Sequence, residues 1–387
     1  MTSRGERPTS FELEDFGPVS GREEEWRFTP VDRLAGVFAA EFSGTAAVTL
    51  AGTGSLPDGV KFEQVPRSDP RLGQASGPSD RAAAAAWAGF GQATVLSVGR
   101  GISVESPIEL EVRTQGDGVA ASHLAVWLEE NSAATVIVDY GGGGELAETV
   151  ELYLGEGARL RLLAVGEWAA GAVHASSHRA RLAKDASLVH SVAVFGGELV
   201  RITPDVTFAG PGGSAELLGL ALTDSGEHHE SRLFVDHAAP RCTSRVTYKG
   251  ALQGAGAHSV WVGDVLIRAG AVGTDTYEQN RNLVLVRGAR ADSVPNLEIE
   301  TGEILGAGHA SATGRFDDEQ VFYLCSRGID LATARRLVVH AFFAELVGRL
   351  NQPEIEARLI ATVDRRLDAA TQSLLTPTQQ PKETLGR

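Results

Sequence analysis

The chain has 387 residues, 43% of them hydrophobic, and a formal net charge of −15 at pH 7. An acidic chain of this kind repels phosphate backbones, and no basic cluster with interleaved aromatic residues offsets the charge, so nucleic acid is not expected as a partner. No apolar run approaches the length of a membrane-spanning helix, and the amino terminus lacks the apolar core of a secretory signal. We therefore expect a cytoplasmic protein without a membrane segment.

Cysteine and glycine usage narrows the fold class. Cys242 and Cys325 are too few for a disulfide framework and are expected to be free thiols, each most simply a small buried side chain. The 45 glycines follow no collagen period, which indicates many tight turns rather than long helices. Strands should therefore dominate the middle of the chain.

Residues 1–92 form the first predicted region, which is partly helical. A short charged element precedes Trp26. A clearer helix follows the Gly77-Pro78 breaker, where Ser79-Asp80 can cap a segment that begins at Arg81 and is rich in alanine, the strongest helix former.

Residues 93–325 are predicted to form a β core. Short β-rich runs begin at Ala93, and each is soon followed by Gly, Asp or Asn. Similar tetrapeptides begin at residues 157, 185 and 213, and two equal intervals of this kind indicate a repeating supersecondary unit. Stacked strands with small residues at the corners favour a parallel β-helix or a related solenoid, in which each coil covers its neighbours. A β-sandwich is the alternative.

The last elements are predicted to be helical. Asp330 can cap a helix whose apolar residues recur at spacings of three and four, and Pro353 suits the first turn of a second helix. Residues 326–370 should therefore form a helical hairpin. Residues 371–387 have little to bury and are predicted to be a disordered tail.

An ordered series of short motifs runs along the chain. The motifs are Glu24 to Arg27, Asp236-His237, Ser244, Lys249-Gly250, Gln279-Asn280, Asn282-Leu283, Pro295 to Ile299, His309, Gly314-Arg315, Phe322 to Leu324 and Ser326 to Gly328. In order and spacing they resemble the SufB/SufD family, whose members are scaffold subunits that assemble iron–sulfur clusters.

The resemblance implies a mainly β fold with a right-handed parallel β-helix core and a carboxy-terminal helical domain. It also implies a non-catalytic scaffold subunit of the SufBCD complex, which pairs with SufB and docks the SufC ATPase. The SufB cysteine position is occupied by Ala289, and the glutamate that follows the SufB histidine is replaced by Ala310, so the sequence is closer to SufD. Many SufD sequences have a cysteine where this chain has Ala307.

His309 is the residue singled out as a metal ligand. A neutral imidazole can ligate iron, although a lone histidine in a Gly/Ala-rich loop is more often simply hydrogen-bonded. The resemblance implies that His309 lies at the SufB interface and contacts iron or a nascent cluster. Without a neighbouring thiolate, the isolated chain should hold no cofactor stably, only a transient iron–sulfur cluster or iron within the complex. Arg335 and Arg336, on the predicted hairpin, are expected to contact SufC.

Other readings of the same residues stay open. The chain could be a SufB-type scaffold, a homodimeric scaffold, or a β-helix enzyme acting on polysaccharides. No P-loop occurs, so the chain itself should not hydrolyse ATP. Asp236, His237 and Cys242 could approach one another across a turn. Four further histidines are interpreted as solvent-facing or stacked between turns rather than metal-ligating: His174, His178, His228 and His229.

Overall fold

A computed structural model describes residues 4–52, 56–115, 118–316 and 318–375. These residues form a mainly β protein whose strands wind into a solenoid of about eight turns. The strands are β1 (Thr45–Leu50), β2 (Val60–Pro66), β3 (Gln92–Val98), β4 (Ile108–Gln115), β5 (Val119–Leu128), β6 (Ala133–Gly142), β7 (Glu145–Leu154), β8 (Arg159–Trp168), β9 (Val173–Leu182), β10 (Ser187–Gly196), β11 (Leu199–Phe208), β12 (Ser214–Thr223), β13 (His228–His237), β14 (Thr243–Leu252), β15 (His258–Ile267), β16 (Asp275–Val284), β17 (Arg290–Ile299) and β18 (Gly306–Arg315).

The strands form two sheets that face each other across the solenoid interior. The even-strand sheet has the order β1-β4-β6-β8-β10-β12-β14-β16-β18, and the odd-strand sheet has the order β17-β15-β13-β11-β9-β7-β5-β3-β2. Each coil contributes one strand to each sheet, and successive strands of a sheet are parallel and in register. Among the described strands, the antiparallel pairs are β1 with β4 and β2 with β3. The predicted solenoid is confirmed, and the β-sandwich is wrong.

Left-handed residues at one corner explain the repeat seen in the sequence. Gly157 and Asp185 both have positive φ and occupy equivalent corners of successive coils, as does Gly212. Each donates its backbone N–H to a carbonyl of the next coil, as in Gly157 to Lys184 at 2.9 Å. Because this backbone conformation favours glycine and short polar residues, such residues recur in the sequence at about one coil length.

The core lies between the two sheets. Along each strand alternate side chains point inward, and in-register stacking places inward residues of successive coils in columns. Leu160 of β8 and Leu188 of β10 occupy one such column and are nearly inaccessible. Since neighbouring strands are about 4.8 Å apart, each inward side chain is covered by the coils above and below it.

Helices cover parts of the outer faces. They are α1 (Ala35–Ala39), α2 (Arg81–Gly89), α3 (Asp318–Ser326), α4 (Leu331–Gly348) and α5 (Pro353–Leu375), with short 3-10 segments at Arg4–Glu6, Leu13–Asp15 and Val31–Leu34. Helix α2 packs on the odd-strand sheet, whereas α4 and α5 pack on the even-strand sheet through an apolar layer that includes Phe343 and Leu218. No helix among the described residues combines the length and apolar character needed to cross a membrane.

Three segments depart from the sequence-based description. Strands β1 and β2 lie within residues 1–92 and extend the two sheets. The β core predicted over residues 93–325 ends at Arg315, since α3 is helical, and Phe322 is 74% exposed. Acidic residues in its first turn favour a helix there. Helix α5 continues to Leu375, and the rest of the predicted tail lies outside the described residues.

Asp80 links the amino-terminal region to the solenoid and provides the first prediction. Its carboxylate accepts a hydrogen bond from the Ala83 amide at 2.8 Å, capping α2, and pairs with buried Arg201 of β11 at 2.7 Å. Asp80→Ala should lower the free energy of unfolding by about 3 kcal/mol or more, because the substitution leaves a buried guanidinium without its nearest partner.

Urea unfolding of the purified chain measures this effect. Asp330→Ala is a matched control, since Asp330 caps α4 in the same way at 3.0 Å but is exposed and pairs with no buried arginine. We expect that variant to lose about 1 kcal/mol. Equal losses in the two variants would mean that the Arg201 pair contributes nothing to stability.

Candidate functional site at the open end of the solenoid

The two ends of the solenoid differ. The amino-terminal end is closed by the antiparallel strands β1 and β2. At the other end the sheets finish at β17 and β18, and no described strand pairs with their outer edges. Most residues of these two strands are half-buried or exposed, unlike those of the preceding coils. Strands β1 and β2 also have an unpaired outer edge, but there the parallel stack is already interrupted, whereas β17 and β18 end it in a direction that a further parallel coil could continue.

His309 lies on this open end. It belongs to β18 and is the register partner of Glu278 on β16, so both side chains are on the inward face. Two neighbours of His309 support this orientation. Ala307 packs against the main core, and Ser311 donates to Ser293 of β17 across the interior at 2.8 Å. His309 is nevertheless exposed, because no further coil covers it.

The inward side chains of β16, the strand next to His309, are mostly polar. The column that ends at His309 contains Leu217 and Val246 in the preceding coils and then Glu278. Two more inward residues of β16 are asparagines: Asn282 donates to the Asn280 side chain at 2.7 Å, and Asn280 donates to the Tyr248 carbonyl at 3.3 Å. The inward face of β16 directly below His309 is therefore polar.

Glu278 is the unusual member of this set. It is 1% exposed, yet neither carboxylate oxygen has a hydrogen-bond partner within normal distance and angle, and the Asn296 backbone N–H nearby only slightly opposes the rise of its pKa. The carboxylate lies against Gly263 of β15, where a Cβ would collide with it. Burial, reinforced by the negative charge of Asp264, raises the pKa of Glu278 to about 8. Sequence analysis missed this residue. The signal that could have found it is its spacing of two residues from Thr276 and Asn280, which places all three side chains on the same face of β16.

Histidines elsewhere in the solenoid are structural. His174 and His178 point inward from β9, where His174 lies 3.4 Å from Glu148 and His178 lies 2.8 Å from His190. Burial lowers the pKa of His178 well below its usual value and that of His190 to about 4. The interpretation of His174 and His178 as solvent-facing is wrong.

The other predicted pair is stacked or buried. His228 contacts His258 of the next strand in its sheet edge to face, with ring centroids 4.7 Å apart and ring planes at 78°, so the two histidines meet between successive turns as predicted. His229 is buried and contacts the Gly196 carbonyl at 2.8 Å. Within the described part of the chain, no group of three or more His, Cys, Asp or Glu side chains is arranged to hold a metal ion.

Neither cysteine lies on the strands β17 and β18 of the open end. Cys242 is buried at a corner, where its thiol donates to the carbonyls of Gly210 and Pro240 at 3.5 Å, and burial raises its pKa. Asp236 instead pairs with Arg268 at 2.8 Å, and His237 bonds to Ser244, so the suggested Asp236, His237 and Cys242 cluster does not form. Cys325 is half-buried on α3.

The two arginines predicted to bind a partner make contacts within the chain. Arg336 of α4 pairs with Asp368 of α5 at 2.9 Å. The guanidinium of Arg335 lies over the Phe316 ring, 5.5 Å from its centroid. Exposed apolar side chains lie beside them on α3 and α4: Phe322, Tyr323, Leu331 and Leu337.

Comparisons with known proteins agree with this geometry. The chain matches the family model "SUF system FeS cluster assembly, SufBD core domain" over residues 112–342. It is 52% identical over 375 residues to an iron–sulfur cluster assembly SufBD family protein of Mycobacterium tuberculosis, covering 95% of this chain and 94% of that protein. It is 30% identical to Escherichia coli SufD over 186 residues, covering 48% of this chain and 44% of that protein. Bacillus subtilis SufD is 24% identical over 281 residues, with coverage of 70% and 63%.

The Glu278 environment provides a prediction about pH. In the unfolded chain this carboxyl titrates near its ordinary value of 4.5, whereas in the fold its pKa is about 8. Between these values the folded state retains a proton that the unfolded state has lost, so the free energy of unfolding falls as pH rises. Glu278→Gln removes this effect, and the variant should be more stable than the parent at pH 8, with the difference shrinking toward pH 5.

Urea unfolding at several pH values tests this expectation. Glu230→Gln is a control of opposite sign. Burial alone would raise the pKa of Glu230, but the hydrogen bond from His228 and the charge of Arg201 outweigh burial and hold that pKa at about 2. Its stabilising effect is present above the unfolded pKa, so this variant should be less stable than the parent at neutral pH. A Glu278→Gln variant less stable than the parent at pH 8 would contradict the assignment of Glu278 as an unpaired carboxyl.

Proposed function

The chain belongs to the SufBD family of iron–sulfur cluster assembly proteins, and from this premise we propose that it is a non-catalytic, SufD-type scaffold subunit. In this proposal it pairs with SufB, docks the SufC ATPase and contributes one side of a cluster-building site in the cytoplasm. Ala289 and Ala310 replace the cysteine and glutamate that the resemblance assigns to SufB, which favours SufD over a SufB-type subunit.

The open end of the solenoid is the observation that carries the proposed pairing. Strands β17 and β18 have unpaired edges, and an uncovered solenoid end is stabilised by another unit that continues it. Apolar Leu305 and Ile299 are exposed at the same end, Leu305 at 81%. A partner solenoid placed there would cover these side chains and enclose His309 at the junction.

A second copy of the chain is the alternative occupant of this end. A two-fold axis would place the same edge of each protomer against itself, which is the commonest symmetry of soluble oligomers. The isolated chain could therefore form a homodimer through the surface proposed for SufB. Mass measurement of the chain alone and with SufB distinguishes the two, because a heterodimer of SufD type should displace the homodimer.

The helical hairpin supports the proposed ATPase contact. Aromatic and aliphatic side chains are the anchors of protein interfaces, and those exposed on α3 and α4 are not needed by the solenoid core. With no P-loop of its own, the chain depends on a partner for ATP-driven steps. Arg335 and Arg336 flank this apolar surface, and we include them in the proposed contact.

His309→Ala tests the proposed cluster-building role. The side chain is exposed at the solenoid end, so its removal should change the free energy of unfolding by about 1 kcal/mol or less. We expect unchanged copurification with SufB and SufC but a severalfold loss of iron and acid-labile sulfide recovered with the complex. The measurement is anaerobic purification of the complex followed by iron and sulfide analysis.

Cys325→Ala is the matched control for that experiment. Cys325 lies on α3, away from the solenoid interior, and its substitution should leave the recovered iron and sulfide unchanged. If the His309→Ala complex carried a normal cluster, His309 would have no role in cluster assembly, and the proposed site would be wrong.

Leu337→Glu tests the proposed SufC contact. Leu337 is 45% exposed on α4, so a carboxylate there should fold normally but weaken SufC binding by about tenfold or more through desolvation of the new charge. Val272→Glu is a matched control, since Val272 is 40% exposed at a solenoid corner far along the chain from the hairpin. Equal SufC retention by both variants in a pull-down would exclude this face of α4.

Charge reversal separates the two roles of Arg336. Arg336→Glu opposes Asp368 and should reduce both hairpin stability and SufC retention. The double variant Arg336→Glu with Asp368→Arg restores the internal pair. If SufC retention recovers in the double variant, Arg336 acts within the hairpin; if it does not, Arg336 contacts SufC directly.

A further inference from the structure

We propose that Glu278 is a second ligand, together with His309, for the ferrous iron delivered to the cluster-building site. This inference rests on the proposed function and adds to it a residue that the sequence motifs do not contain. Its basis is the position of a buried carboxylate directly beneath His309 in the last column of the solenoid.

A carboxylate costs stability at this position. The preceding residues of the column, Leu217 and Val246, are aliphatic and fully buried, and an aliphatic side chain would also pack under His309. Burying a polar group without a hydrogen-bond partner costs roughly 1–3 kcal/mol. Neither Glu278 oxygen has such a partner, so the carboxylate is incompletely satisfied in the chain alone. A ligand that arrives later would satisfy it.

Glu148 shows how the same solenoid treats a structural carboxylate. It also points inward and is fully buried, but it accepts hydrogen bonds from Ser122 and Ser176 at 3.0 Å and lies 3.4 Å from His174. Every oxygen of that carboxylate has a partner. The difference between the two glutamates is therefore not burial but the absence of internal donors at the open end.

The donor set indicates which ligand would bind. An imidazole nitrogen and a carboxylate oxygen together suit ferrous iron and similar divalent ions, whereas sulfur species and soft ions favour thiolates. Residue 307, the inward neighbour of His309 along β18, is alanine, so it supplies no thiolate. The remaining ligands would come from the partner and solvent, since this chain offers two.

Access to Glu278 is through the terminal coil. Ala307 and Ser311, which flank His309 on the inward face of β18, are short side chains. No described strand lies beyond them. An ion that reaches the solenoid end therefore meets His309 first, at the surface, and then Glu278, whose strand lies about 4.8 Å below that of His309.

Titration with Co²⁺, as a spectroscopic substitute for Fe²⁺, tests the inference on the full-length chain, alone and copurified with SufB. We expect one Co²⁺ site per chain whose affinity falls at least tenfold in Glu278→Gln and in His309→Ala. Glu148→Gln is the matched control for loss of a buried inward carboxylate and should leave Co²⁺ affinity unchanged. Thermal unfolding is recorded for every variant, and Glu278→Gln should be at least as stable as the parent at pH 8.

The outcomes separate this inference from the proposed function. If His309→Ala depletes the cluster but Glu278→Gln binds Co²⁺ like the parent, the ligand role of Glu278 is wrong and the scaffold proposal stands. If both variants lose Co²⁺ while the His309→Ala complex retains a normal cluster, the metal site stands and the proposed function fails. A parent chain without Co²⁺ binding in either form, or a Glu278→Gln variant that unfolds, overturns the inference.

Discussion

The structure depends on parallel strands stacked in register, one coil upon the next. In that arrangement every inward side chain and every backbone edge is covered only by the adjacent coils. Each coil therefore requires a neighbour on both sides, and this requirement also holds for the coil at each end. At the amino-terminal end β1 and β2 reverse direction and close the sheets. At the other end the requirement is unmet within the described chain, and this is where the family motifs, the exposed apolar side chains and His309 are found.

The same constraint explains why buried polar side chains differ in their hydrogen bonding along the interior of the solenoid. In the middle of the solenoid a buried glutamate or histidine is surrounded by neighbours that can donate and accept, as Glu148 and His174 are. At the open end β17 and β18 have no described strand beyond them, although β16 is paired on both sides. Asn282 donates to the Asn280 side chain and Asn280 donates to the Tyr248 carbonyl, but neither oxygen of Glu278 has a well-placed donor. A buried carboxylate of this kind lowers the stability of the fold, but it can bind a ligand at a functional surface.

The sequence predicted the repetitive parts of the fold better than the singular ones. Corners repeat, so Gly157 and Asp185 revealed the coil length, and the Asp80 and Asp330 caps followed from residue type alone. The motif at His309 lies at the open end, where we propose the functional site. Glu278 was missed because its importance depends on which face of β16 it occupies and on the lack of well-placed hydrogen-bond donors around it. A sequence motif shows neither property. The inward burial of His174 was missed for a related reason, since alternation alone does not say which face of a strand is the interior.

Ion pairs between the hairpin and the even-strand sheet link the two proposed partner surfaces. Arg358 of α5 pairs with Asp139 at 2.6 Å and Glu167 at 2.8 Å, and Lys249 of β14 pairs with Glu345 of α4 at 3.0 Å. Together with the apolar layer beneath α4, these contacts fix the hairpin along the sheet that ends in β18. A partner that pulls on α4 therefore acts on the sheet that carries His309. The hydrogen-bonded strands between them form the physical connection through which such a movement would reach the open end.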